Sequence, residues 1–172
     1  MGGGDSSSAE YFDGINLPGA AGSFNRASQV RYYPANAGKV GATAGFAFTN
    51  DTGVTTVPAS QTDSTLTIPL ALKEGDIITA FTLSGQIESA ANTVLVDADL
   101  RVTTAAAADV TDASIGAITQ ISKTADYLIA DSKTGLSHTV ISGNSYYVLV
   151  TVRTTASTDV VIQGVEVTVT EK

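Results

Sequence analysis

The chain has 172 residues, 43% of them apolar and 15% charged, with 17 acidic against 9 basic side chains and a net charge of −8. With one His and no Cys or Trp, disulfides, thiolate metal sites and Cys nucleophiles are excluded, and a Ser-His-Asp site would have to use His138. The acidic balance lacks the basic footprint of a nucleic-acid binder, and no apolar run reaches the ~18 residues that would mark a membrane-spanning helix.

Along the chain, residues 1–65 are rich in Gly, Ser, Ala and Asn and carry isolated aromatics at Tyr11, Phe12, Phe24, Tyr32, Tyr33, Phe46 and Phe48. No apolar periodicity persists there, so the segment reads as an extended, mostly irregular N-terminal arm. The start, Met1-Gly2-Gly3-Gly4-Asp5, lacks a charged or apolar leader pattern and reads as plain flexible chain. The aromatics need a surface to pack on, either their own domain or a neighbouring subunit. The arm has 3 basic and 5 acidic residues, net −2, against net −6 for residues 66–172. Its near-neutral charge sets Arg26 and Arg31 beside aromatics. Tyr11, Phe12, Phe24, Arg26, Arg31, Tyr32 and Tyr33 are therefore the candidate partner contacts.

From residue 66 onward the pattern alternates with period two, as half-buried strands do. Leu66–Leu70 leads to a turn at Lys73-Glu74-Gly75-Asp76, with Gly75 available for positive φ. The next strand puts Ile77, Phe81, Leu83 and Ile87 on one face. Val94, Val96, Ala98, Leu100 and Val102 then form an apolar face opposite Asp97, Asp99 and Arg101. Ala105–Ala113 reads as either a helical turn or a loop, and Ala125–Ala130 as a short helix or a strand. Leu136–Ile141 is strand-like. Tyr146, Val148, Val150 and Val152 alternate next, and Val161, Val165, Val167 and Val169 alternate against Ile162, Glu166, Thr168 and Thr170. About seven strands with turn signals and no intervening long helices predict an all-β fold. The expectation is an antiparallel sandwich, jelly-roll-like, over residues 66–172.

Chemistry is sparse. Asp97 and Asp99 share a strand face about 7 Å apart. With loop oxygens from Asp109 or Asp112 they would suit Ca²⁺, but the plain reading is a solvated row in which Arg101 is the ion-pair partner. His138 should lie with Leu136 and Val140 as a partly buried structural residue. No nucleophile elbow or phosphate loop accompanies it, so no catalytic residue, metal or cofactor is expected. Of Tyr146 and Tyr147, one ring should be core and the other on the outer sheet face.

Leu72-Lys73-Glu74-Gly75-Asp76, the strand Ser145-Tyr146-Tyr147-Val148-Leu149-Val150 and the closing Gly164-Val165-Glu166-Val167 resemble small β-sandwich virion proteins of tailed phages. The resemblance covers roughly residues 66–172 and rests on strand and turn chemistry. It implies a non-enzymatic capsid decoration or cement protein on the virion surface. Such a protein would be homotrimeric, with an N-terminal arm that docks to the major capsid protein or other virion subunits, and with no nucleic-acid or membrane partner. A fibre or receptor-binding adhesive module and a tail-tube subunit are the alternatives.

Overall fold

The computed structural model describes residues 27–41, 49–51, 53–57, 60, 62–89, 93–106, 109–154 and 158–172. The strands run in chain order β1 (Ser28–Pro34), β2 (Lys39–Val40), β3 (Thr49–Asp51), β4 (Val54–Val57), β5 (Ser64–Leu70), β6 (Ile77–Ser89) and β7 (Val94–Ala106). They continue through β8 (Asp109–Ala117), β9 (Ile121–Lys123), β10 (Tyr127–Lys133), β11 (His138–Thr139), β12 (Ser145–Arg153) and β13 (Thr158–Thr170). One 3-10 turn, Ala35–Ala37, follows β1.

Two antiparallel sheets make a sandwich, as the alternation predicts. The first has the order β10-β6-β13-β4-β3, with β1 also on β13 and β11 also on β6. The second has the order β2-β5-β12-β7-β8, with β9 also on β7. The core lies between the sheets and is aliphatic. Ile78, Phe81, Leu83 and Ile87 of β6, and Val160, Ile162, Val165, Val167 and Val169 of β13, face Leu66 and Ile68 of β5, Leu100 of β7 and Val148 of β12. At roughly 1.5–3 kcal/mol per fully buried aliphatic or Phe side chain, this burial is the main stabilising contribution. Simple alternation predicts β7 and β12 correctly, and of the two adjacent tyrosines Tyr146 is the core ring and Tyr147 the outer one.

Two bulges explain where alternation fails. On β6, Ala80 pairs with Thr168 and Ile78 with Val169, so Thr79 is an extra residue and the phase slips by one. Ile78, not the expected Ile77, is therefore the core residue. On β13, Ile162 pairs with Gly85 and Gly164 with Ser84, which leaves Gln163 extra. Val161, expected inside, faces out, and Ile162, expected outside, is buried. A one-residue insertion exchanges the faces of everything beyond it, and periodicity carries no mark of it.

The ambiguous stretches are strands. Within Ala105–Ala113, Ala105 and Ala106 end β7 and Asp109 to Ala113 open β8, paired antiparallel as a hairpin, and β10 covers most of Ala125–Ala130. Of Leu136–Ile141, only His138 and Thr139 pair as strand, with Ile78 and Ile77. Within the 1–65 segment, the described residues are not irregular chain. β1 pairs with β13 over seven residues, β2 with β5, and β4 with β13. These strands escape periodicity because they are short or lie at sheet edges. β1 has an exposure pattern with no fully buried position, so it carries no apolar stripe.

Candidate functional site

Three places gather polar side chains. The first is where β1 meets the turn between β5 and β6. Residues Lys73 to Asp76 form a tight turn in which the Asp76 amide donates to the Lys73 carbonyl at 3.1 Å, with Gly75 at φ +86°. This turn sends the Asp76 carboxylate inside, where it is fully buried. Arg31 of β1 reaches it, Nη2 lying 2.7 Å from Oδ2. The approach is off the hydrogen-bond axis, and neither carboxylate oxygen has another hydrogen-bond donor among the described residues. A buried carboxylate is tolerated only beside a compensating charge, and Arg31 supplies the one that faces Asp76. Arg31 also approaches Glu171 at 3.4 Å. Two positions on, the Tyr33 hydroxyl donates to the Ala71 carbonyl at 2.8 Å, and its ring packs on the core. Burial, ahead of the opposing Arg31 charge and hydrogen bond, pushes the Tyr33 phenol above its ordinary value. Tyr32 points the other way, about half exposed, and its hydroxyl donates to the Gln163 carbonyl on the bulge at 2.8 Å. Gly164 makes this seat possible. A Cβ there would stand 2.5 Å from the Tyr33 carbonyl oxygen and 2.7 Å from the Tyr32 hydroxyl.

The second place is the outer face of the second sheet. Pairing of β7 with β12 sets Arg101 beside Tyr147 and Asp99 beside Leu149, and the β7–β8 hairpin brings Asp112 and Ser114 alongside. Arg101 meets Asp99 at 2.6 Å and Asp112 at 2.8 Å. The Tyr147 hydroxyl donates to Asp112 at 2.7 Å, Ser114 to Asp99, and the Gln120 amide to both oxygens of Asp97 at 3.0 Å. The hydrogen bond from Arg101, then that from Tyr147, holds the Asp112 carboxyl below its ordinary range. Arg101 is the expected ion-pair partner of this row. The two carboxylates weighed as cation ligands, Asp97 and Asp99, have their oxygens turned toward these donors. No set of three His, Asp or Glu side chains converges on a metal-sized site among the described residues. Chemically, the face is a preorganised plane of hydroxyl, guanidinium, amide and carboxylate groups.

The third place is one end of the sandwich. An open cleft of about 390 Å³ lies between the β5–β6 loop and the turn before β12, lined by Leu70, Leu72, Glu74, Ile141, Asn144 and Tyr146 among others. His138 sits edge-on to Tyr146, ring centroids 5.7 Å apart. The Tyr146 hydroxyl accepts from the Ile141 amide at 2.9 Å. Burial pushes the His138 imidazole below its ordinary value of 6.5. Its Nε2 is buried with no hydrogen-bond partner among the described residues, so no orienting acid or nucleophile attends it there.

Of the seven candidate contacts, Tyr11, Phe12, Phe24 and Arg26 lie outside the described residues. The other three share β1: Arg31 and Tyr33 are engaged with the β5–β6 loop, and Tyr32 keeps an exposed ring. Sequence reasoning missed Asp76 as the counter-charge of Arg31. The one available signal was an Asp directly after a turn Gly and before an apolar strand. It also missed Tyr147, Ser114 and Gln120 as partners of the Asp row, because they come from strands distant in sequence.

No family model and no curated protein matches the chain. Among solved structures it is similar to the CBM36-1 domain of a multidomain xylanase from the hindgut metagenome of Trinervitermes trinervoides, at 14% identity and a TM-score of 0.40 over 81% of this chain and 96% of that one. It is also similar to the enzymatically active domain of tailspike protein 4 of bacteriophage CBA120, at 13% identity and a TM-score of 0.29 over 81% of this chain and 18% of that one. Neither likeness carries function to this chain.

Proposed function

We propose that the chain is a non-enzymatic virion subunit, a β-sandwich that decorates and cements a phage head, with the major capsid protein as its partner. The observation that carries this reading is the anchoring of β1. Residues 28–34 pair along β13, and Arg31 closes on the buried Asp76. Whatever the preceding residues touch is thereby tied mechanically to a rigid sandwich, which is what a cement needs. Tyr11, Phe12, Phe24 and Arg26 are the residue types enriched in stable contacts. An interface of ordinary strength buries about 1,600 Å² in total, an area an extended segment supplies without a large globular face. Deletion of residues 1–26 tests the reading on heads stripped of this protein. The truncated sandwich should melt as the whole chain does and should not bind. Full binding by the truncated form would refute the proposal.

A fibre-borne adhesive module is the second reading, favoured by the open plane of Arg101, Asp99, Gln120 and Tyr147. Such groups suit a hydroxyl-rich ligand. Glycan-array binding that is lost in Arg101→Ala would select it over cementing.

A further inference from the structure

We propose that the outer face of the first sheet is the surface through which this chain binds a second copy of itself. This inference is independent of the virion reading.

Most of that face is uncharged. The outward positions of β6 are Ala80, Thr82, Ser84 and Gln86, and β10 adds Leu128, Ala130 and Ser132. β13 adds Val161 and Gln163, and β4 adds Thr56. Among the described side chains, carboxylates stand toward its borders, Glu88 and Asp159 paired at one end and Glu166 beside Tyr32. In a chain of net −8 this matters. Two copies repel unless they meet where little charge lies, and the opposite face carries Asp97, Asp99 and Asp112 against Arg101.

The face also has relief that fits itself. Leu128 is 74% exposed, a large apolar side chain standing on strand β10. Beside it runs a shallow groove of about 200 Å³, lined by Val54, Gly85, Gln86, Leu128, Val161 and Gln163. Gly85 is fixed as glycine by the bulge, since a Cβ there would stand 2.3 Å from the Val161 carbonyl oxygen. A knob and a hole adjacent on one surface are what a two-fold contact requires, each Leu128 entering the groove of the other copy. Toward the β1 edge, Val30 at 61% and Tyr32 at 49% exposure extend the apolar area. Four strands at ~4.8 Å spacing and about nine residues of length give a plane of roughly 600 Å² before side-chain relief, near the ~800 Å² each partner gives a standard interface.

The test uses the whole chain in sedimentation equilibrium over a concentration series, at low and moderate salt. A mass of two or more chains is expected, with association strengthened by salt because screening relieves the net repulsion. Leu128→Glu should return the protein to a monomer with an unchanged far-UV spectrum, and Gln86→Lys should weaken association. Ser122→Glu on the opposite sheet should leave it intact. A monomer at every concentration, an oligomer that survives Leu128→Glu, or equal loss with Ser122→Glu would each overturn the proposal.

Discussion

Replacing Arg31 with Met keeps the aliphatic stem and removes the charge that faces Asp76. The carboxylate is fully buried and 2.7 Å from the lost guanidinium, with no other hydrogen-bond donor among the described residues. Breaking a fully buried pair from one side costs about 3–5 kcal/mol. The Arg31 side chain is 22% exposed, so water reaches the pair from one side, and the expected loss falls to about 2–3 kcal/mol. At about 2–4 °C per kcal/mol for a chain of this size, the melting temperature should drop by roughly 5–10 °C. The converse change should be milder. Asp76→Asn leaves Arg31 partly in water with Glu171 at 3.4 Å, and about 1 kcal/mol is expected. The double variant should recover much of the Arg31→Met loss, with a coupling of at least about 1 kcal/mol in a double-mutant cycle. Urea melts supply the energies, and amide exchange across residues 28–34 reports whether β1 frays first. If Arg31→Met costs no more than Asp76→Asn, or the two losses simply add, Arg31 does not hold a buried charge and the anchoring argument fails.

Other outcomes follow from the same geometry. Gly164→Ala pushes a Cβ into the Tyr33 carbonyl and the Tyr32 ring, so β1 should lose exchange protection before the rest of the sheet. Gly85→Ala meets the Val161 carbonyl and should cost about 1–3 kcal/mol in a urea melt, as overpacking does. Arg101→Ala leaves Asp99 and Asp112 without their cation, yet at an exposed face the loss should stay near 1 kcal/mol and shrink with added salt, unlike the loss at Arg31. His138 gives a pH signature. The unfolded imidazole takes a proton near 6.5 and the folded one only at lower pH, so this contribution is complete above about 6.5 and falls as pH drops below it. Chemical melts between pH 7.5 and 5.5, a range chosen about that ordinary value, should show stability declining toward acid, and His138→Gln should flatten that slope. An unchanged slope would place the titration elsewhere.

How much of this was legible in sequence depends on the reach of each interaction. β7 and β12 are central strands of one sheet, buried on one face and open on the other, so their residues alternate and the sequence displays them. β6 and β13 are as long, but Thr79 and Gln163 each shift the phase once, and a reading by twos assigns Ile77 and Val161 to the wrong face. β1 has no apolar stripe because its inward contacts are a charge, Arg31, and a tyrosine, Tyr33. Both partners of these side chains, Asp76 and Ala71, lie in a turn about 40 residues later, beyond any periodic signal. The Asp row was legible as a row with Arg101 in it. Its satisfaction by Ser114, Gln120 and Tyr147 required the hairpin and the β12 register.

The bulge at Gln163 links the edge strand to the open face. It turns the Gln163 carbonyl toward the Tyr32 hydroxyl, brings Val161 outward, and presses the Val161 carbonyl against Gly85. One extra residue therefore helps seat β1 and also hollows the groove beside Leu128. Anchoring and self-association are coupled through that backbone irregularity. A change that removes it should disturb both, whereas Arg31→Met should loosen β1 and leave the groove side chains in place. Comparing the oligomeric mass of Arg31→Met with that of Gly85→Ala separates the two effects. The first should still associate and the second should not. Loss of association in both would mean that β1 itself, through Val30 and Tyr32, forms the centre of the contact and Leu128 its margin.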